Sequence, residues 1–288
     1  MEVHVKPILS LPANSNPFHF DRTGIQQADT MANPLVWLLV PGAWHPGPMY
    51  QPMLNKLGEA GYETHVITNR SVADPNAENV TIQDDAQQVH DVITGFIDQS
   101  KDVVVITHSY GGLVGTTGAY GLSKKAVKSA GKKGGVIGVV CIASIFSKEG
   151  VSLRDAGGAA AGWVNANSPR EGVSSVSIED GMDVFYGPEV DQDTARALAG
   201  QIKPQGMQTF TSPPGKSVWA DENMKGRLGY IRCLRDRALP FEVQKALLEL
   251  TETEWHVADM DTGHSPFVSR PDETVNICLD MLEKFKNA

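Results

Sequence analysis

Cysteine is scarce in this sequence, and long apolar runs and an excess of basic charge are missing. Its three cysteines, Cys141, Cys233 and Cys278, cannot all pair with one another. Each sits in an apolar pattern, so they read as reduced core residues rather than a disulfide framework. No apolar run approaches the ~20 residues that span a bilayer. The first thirty residues lack a charged start followed by an apolar core, so no signal peptide is expected. A reducing, cytoplasmic location is the corresponding expectation. Lys and Arg number 25 against 34 Asp and Glu, a formal net charge of −9. Neither nucleic acid nor an anionic membrane is therefore expected as a partner. His4, His19, His65 and His90 are dispersed, and no His/Cys/carboxylate spacing suggests a metal centre. Neither metal nor cofactor is expected.

What the sequence does contain is a succession of buried strands alternating with helices. Leu35–Val40 is the first, followed by the Gly/Pro-rich loop 41–48 and a helix over Met49–Ala60. Tyr62–Thr68 reads as a second strand. Thr81 is placed to cap a helix reaching about Ser100, with Ile82, Ala86, Val89, Ile93 and Ile97 at helical spacing. Further strands are expected at Val103–Thr107, Val136–Ala143, Arg227–Leu234 and Trp255–Met260. Further helices are expected at Leu113–Leu122, Phe241–Leu250 and Pro271–Lys286. This alternation predicts an α/β fold with a mostly parallel sheet covered on both faces. The lysine-rich stretch Ser123–Gly135 reads as a solvated loop. Between Ser147 and about Lys225 periodicity is lost apart from a short helical pattern at Asp191–Gln201. That stretch reads as an inserted cap carrying isolated aromatics. The expected organisation is an N-terminal arm (1–33), a first core segment (34–146), the cap (147–225) and a second core segment (226–288).

The sequence is organised around Asp102-Val-Val-Val-Ile-Thr-His-Ser-Tyr-Gly-Gly112. A β-branched strand stops abruptly and a small-residue helix follows, which is the pattern of a nucleophile elbow. Such a turn holds Ser109 in a strained conformation with its hydroxyl at the carboxyl edge of the strand, and Gly111 permits the close approach. Thr107 stands where the G-x-S-x-G pattern has its first glycine, and it could crowd the turn.

A serine hydroxyl needs a base within reach and a third group to orient that base. In this arrangement the acid and then the histidine follow the nucleophile in the chain. Downstream of Ser109 only His256 and His264 remain. His256 falls inside the last strand, whereas His264 lies in the Gly/Pro-flanked loop beyond it and is the expected base. Asp236, just after a strand and ahead of a Pro-led helix, is the expected acid. Two backbone donors are needed for an oxyanion. The N–H of Tyr110 and that of Ala43, in the loop after the first strand, are placed to supply them. Trp44, His45, Trp163, Phe185 and Trp219 are candidate substrate-binding residues. His108 is expected to be packed scaffold, because neighbouring side chains diverge at an elbow.

With these pieces in order, the sequence resembles the α/β-hydrolase superfamily, and within it the small esterase and hydroxynitrile-lyase-like group that includes plant methyl esterases. The matching segments are Leu-Val-Pro-Gly-Ala-Trp44, His-Ser-Tyr-Gly-Gly112, Arg-Asp-Arg-Ala-Leu-Pro240 and Gly-His-Ser-Pro-Phe267. The resemblance implies Ser109 as nucleophile, Asp236 as acid, His264 as base, and Ala43 with Tyr110 as the oxyanion hole. Lyases of the group usually carry Lys after the catalytic His, where Ser265 stands here, and Thr where Gly42 stands. Both departures favour hydrolysis. The expectation is a cofactor-independent serine hydrolase that cleaves a carboxylic ester or lactone of a small, mostly apolar molecule through an acyl-enzyme. A non-hydrolytic lyase or cyclase of natural-product metabolism, or a ligand-binding receptor on a hydrolase scaffold, stay open as alternatives. Oligomeric state is open too, a homodimer being one option.

Overall fold

The structure is a computed structural model that describes residues 34–157 and 161–288. The arm expected over residues 1–33 lies outside the described residues. Residues Asn33–Ala288 form one compact unit that includes the cap. The central sheet is built from β1 (Leu35–Val40), β2 (Glu63–Val66), β3 (Asp102–His108), β4 (Val136–Ile142), β8 (Leu228–Cys233) and β9 (His256–Met260). Its order is β2-β1-β3-β4-β8-β9, and every neighbouring pair is parallel. Composition explains the order. β3 has no exposed residue, β1 and β4 are nearly as buried, and these strands, rich in valine, leucine and isoleucine, fill the middle. β2 and β9 alternate between more and less exposed positions and form the edges.

Helices cover both faces. The Ile82–Asp98 helix starts with a capping box in which Thr81 and Asp84 each bond the other's backbone N–H. Its buried positions include Ile82, Ala86, Val89, Ile93 and Ile97, the stripe that the sequence spacing marks. The last helix, Pro271–Lys286, buries Val275, Cys278, Met281, Leu282 and Phe285. All three cysteines are free and buried. Burial pushes the thiols of Cys141 and Cys278 up to about 12. No helix among the described residues is long and apolar enough to cross a membrane.

Three sequence expectations are revised. The helix after the elbow spans Gly111–Gly118, two residues earlier at its start than the Leu113–Leu122 reading, because it begins directly after Tyr110. The strand expected over Tyr62–Thr68 contracts to Glu63–Val66. The lysine-rich stretch is not plain loop. It contains a short helix, Lys124–Lys128, capped by Ser123, and Lys124 pairs with Asp102 at 2.7 Å.

The cap is also more ordered than its sequence suggests. It holds a three-stranded antiparallel sheet of β5 (Val164–Ala166), β6 (Val173–Val176) and β7 (Gln205–Gly206). It also holds the helix Gln192–Ala199, capped by Asp191.

Candidate active site

Because the six strands are parallel, the loops after β1, β3, β8 and β9 all leave from one edge of the sheet. Those loops carry residues 41–46, Ser109, Asp236 and His264. Parallel topology alone thus gathers four segments distant in sequence.

Ser109 has φ 53°, a left-handed conformation that a serine rarely adopts. Its N–H still donates to Ile142 O at 3.1 Å, which ties the turn to β4. The strain is held in place by close backbone packing beneath it. A Cβ on Gly111 would collide with the carbonyl oxygens of Val40 and Pro41. Thr107 fits without crowding for a specific reason. Its hydroxyl pairs with Ser144 Oγ at 2.8 Å. Its methyl lies against Gly115, where an added Cβ would sit 2.5 Å from it. The glycine that the motif lacks in the strand is present, in effect, one helical turn later.

His264 Nδ1 donates to Asp236 Oδ2 at 2.7 Å, and both side chains are buried. This bond fixes the tautomer: the neutral ring keeps its lone pair on Nε2. The other carboxylate oxygen, Asp236 Oδ1, accepts the N–H groups of Ala238 and Leu239 at 2.8 and 2.7 Å. Asp236 thus shapes its own turn as well as holding the histidine. Gln244, fully buried on the Phe241–Leu250 helix, bonds Cys233 N and O and Leu239 O, and so braces the Asp236 loop. Asp259 and Asp261 are engaged elsewhere, with Arg232 and Arg235. His256 bonds Gly226 O, away from the site.

The loop after β1 faces Ser109. Among the described residues the N–H groups of Ala43 and Tyr110 have no internal hydrogen-bond acceptor. The N–H of Gly42 does have one, Tyr50 Oη at 2.9 Å. Tyr50 passes its own proton to His108 Nδ1 at 2.7 Å. His108 Nε2 lies 3.0 Å from His264 O, a carbonyl that can only accept, so Nε2 carries the ring proton. Gly42, Tyr50, His108 and the backbone of His264 therefore form one buried relay. Burial, then the nearby His264 and His45, hold the His108 imidazole well below its usual range, so it stays neutral. His108 is scaffold, but scaffold that links three parts of the site. Gly42 cannot carry a side chain here, since a Cβ would lie 2.9 Å from His108 Nδ1.

His45 is ordered by the same logic. Its Nδ1 donates to Ala43 O at 2.6 Å, and its Nε2 accepts from Tyr186 Oη at 3.0 Å. Desolvation pushes its pKa down to about 4, only partly offset by the Ala43 bond. The residue after the nucleophile is anchored from the opposite side. Tyr110 Oη donates to the buried carboxylate of Asp85 at 2.8 Å, which Ser71 also bonds. Burial raises the Asp85 carboxyl above its usual range.

A cavity of about 450 Å³ opens over these groups. Ser109, Tyr110, Ala43 and His264 line it, as do Trp44, His45, Trp163 and Phe185. Trp219 is a correction: it is not part of the lining and instead packs on Phe146, with ring centroids 4.9 Å apart. The rest of the wall is mostly apolar, with Phe146, Phe210, Leu239 and Leu247 prominent. The volume suits a small organic molecule.

Two tethers between cap and site leave no local mark in the sequence. Trp44, at φ 60°, donates its N–H to Gln205 Oε1 at 2.8 Å, and its indole N–H to Ser174 Oγ at 3.1 Å. Glu189 Oε1 accepts the N–H of Gly263, next to His264, at 2.6 Å, and the Ser269 hydroxyl at 3.1 Å. Long polar side chains in an aperiodic segment carry no local signature, and only the folded chain brings them to these loops.

Comparison with known proteins agrees with this fold. A family model described as "Alpha/beta hydrolase family" matches residues 37–277. An alpha/beta hydrolase, nvfD, of Aspergillus novofumigatus is 25% identical over 83% of this chain and 93% of its own. A probable hydrolase, R7, of a Phoma species is 27% identical over 87% of this chain and 99% of its own. Among solved structures, polyneuridine aldehyde esterase superposes with a TM-score of 0.66 at 16% identity, covering 87% of this chain and 100% of that one. A methylesterase, MES16, from Arabidopsis gives 0.64 at 14% identity, covering 86% and 99%.

Proposed function

The chain belongs to the alpha/beta hydrolase family, and on that premise we propose that it is a cofactor-independent serine hydrolase. Its substrate would be a carboxylic ester or lactone of a small, mostly apolar molecule. The observation that carries this reading is the His264–Asp236 bond beside a left-handed Ser109 in one apolar cavity. The names of the structural neighbours, an aldehyde esterase and a methylesterase, support ester chemistry.

The residues fit such a reaction step by step. His264 Nε2 takes the Ser109 proton as Oγ attacks the carbonyl carbon. Asp236 holds the ring and stabilises the imidazolium that forms. The oxyanion settles between the free N–H groups of Ala43 and Tyr110. His264 then protonates the leaving alkoxide, which departs as the alcohol and leaves an acyl group on Ser109. Water, deprotonated by the same nitrogen, releases the acid.

A fluorophosphonate probe should attach to Ser109 and nowhere else. In Ser109→Ala, kcat on p-nitrophenyl esters should fall by about 10⁴–10⁶. Undiminished turnover in that variant would remove the serine mechanism. Run in ¹⁸O-water, the reaction should place one label in the acid product. Product formed without label would point to lyase or cyclase chemistry on the same groups.

A further inference from the structure

Among the described residues, the cavity wall has a single charged side chain, Arg154, and neither Asp nor Glu. Its other polar members are accounted for. His45 bonds Ala43 O and Tyr186. Ser174 Oγ accepts from Trp44 and donates to Gln205 O. Ser109 and His264 are the reacting pair. Arg154 has no such assignment. Its guanidinium makes no hydrogen bond or ion pair with any described residue, whereas every other described arginine has a carboxylate or carbonyl partner. The backbone beneath it is nevertheless fixed. Arg154 N–H donates to the carbonyl of Phe210, itself a wall residue, at 3.1 Å, and Arg154 O accepts from Gly157 N at 3.1 Å.

A guanidinium is always charged and presents a planar fork of donors matched to a carboxylate. Arg154 is itself exposed and stands where the apolar wall meets solvent, so its guanidinium can meet a ligand entering the cavity. Among the described residues no carboxylate pairs with it, which leaves it open to a carboxylate of the ligand. The chain's net charge of −9 gives an anion no general attraction, so a local cation has to supply it.

We propose that Arg154 binds a carboxylate of the substrate. The substrate is then an apolar ester that carries one free acid group remote from the scissile carbonyl. This rests on the serine-hydrolase reading only for where the ester lies, and the anion site can be tested without turnover.

One experiment measures kcat/KM for the mono-p-nitrophenyl esters of suberic and sebacic acid against p-nitrophenyl alkanoates of matched length. The acid-to-neutral ratio should favour the acids. It should fall by about tenfold in Arg154→Gln, the weight of one charge-assisted hydrogen bond, and in part in Arg154→Lys. Added salt should erode the ratio in the wild type but not in Arg154→Gln. A second experiment uses Ser109→Ala and compares binding of an arylalkanoic acid with that of its primary amide, with and without Arg154→Gln. Ratios that are the same with and without Arg154, in kinetics and in binding, would overturn the proposal. Selective acid binding that depends on Arg154, in a protein whose Ser109 resists the fluorophosphonate, would uphold the anion site while discarding the hydrolase reading.

Discussion

Tyr50 shows how one side chain can matter to a site it never touches. Its hydroxyl takes the Gly42 N–H and gives its proton to His108, and it is fully buried. Tyr50→Phe leaves a buried donor and a buried acceptor without partners, which costs about 1–3 kcal/mol. Urea denaturation should show the midpoint moving down with the slope unchanged. The same relay fixes the Gly42 peptide and the His264 backbone, so kcat should fall as well. No local pattern pointed to Tyr50, which lies in the turn Gly47–Tyr50 just ahead of a helix. The residues that the sequence pattern singles out are of another kind. Ser109, Asp236 and His264 stand at the ends of strong strands, where a change of pattern marks the position. Partners reached through space leave no such mark, and Tyr50, Gln244 and Glu189 belong with them.

Among the elements, the cap is where the sequence was least legible. Its strands are three, four and two residues long. Runs that short cannot display a period-two alternation, and they are held by contacts with distant loops rather than by propensity. The central strands are longer and almost wholly apolar, and their positions could be read directly. What the cap contributes can be tested at Glu189. Glu189→Ala removes the acceptor for Gly263 N–H and frees the loop that carries His264. A misplacement on that scale should lower kcat by about 10–100-fold. Glu189→Gln keeps a carbonyl oxygen at the same reach and should recover most of the rate. Equal losses in the two variants would assign Glu189 a role through its charge instead.

For the whole molecule, buried neutral histidines set the response to acid. His45 takes up a proton in the fold only near about 4, whereas an unfolded imidazole does so near 6.5. Between these values the unfolded chain binds more protons. The stability that His45 contributes is complete above the unfolded value and is lost as the pH falls toward the folded one. The slope is about 1.4 kcal/mol per pH unit for one such group. His108 acts in the same direction. Asp85 acts in the opposite one, since its raised carboxyl binds a proton in the fold more readily than in the unfolded chain. A His45→Gln variant isolates one contribution. Its melting temperature should decline less than that of the wild type between pH 6.5 and 4, and parallel curves would contradict the assignment.

The seam between Trp44 and the cap has a kinetic corollary. Residue 44 is sewn to the cap by its own N–H, by its indole and by the carbonyl that receives Lys203 N–H at 2.8 Å. Ala43, one peptide bond away, is the proposed oxyanion donor. Lifting that part of the roof must snap those three stitches or haul the oxyanion donor out of register. On the proposed mechanism, a gaping entrance there and a loaded, reacting centre would exclude one another. On that reading substrate would pass elsewhere along the rim, and Val243, at once 42% exposed and part of the wall, is placed for an entrance that leaves the seam intact.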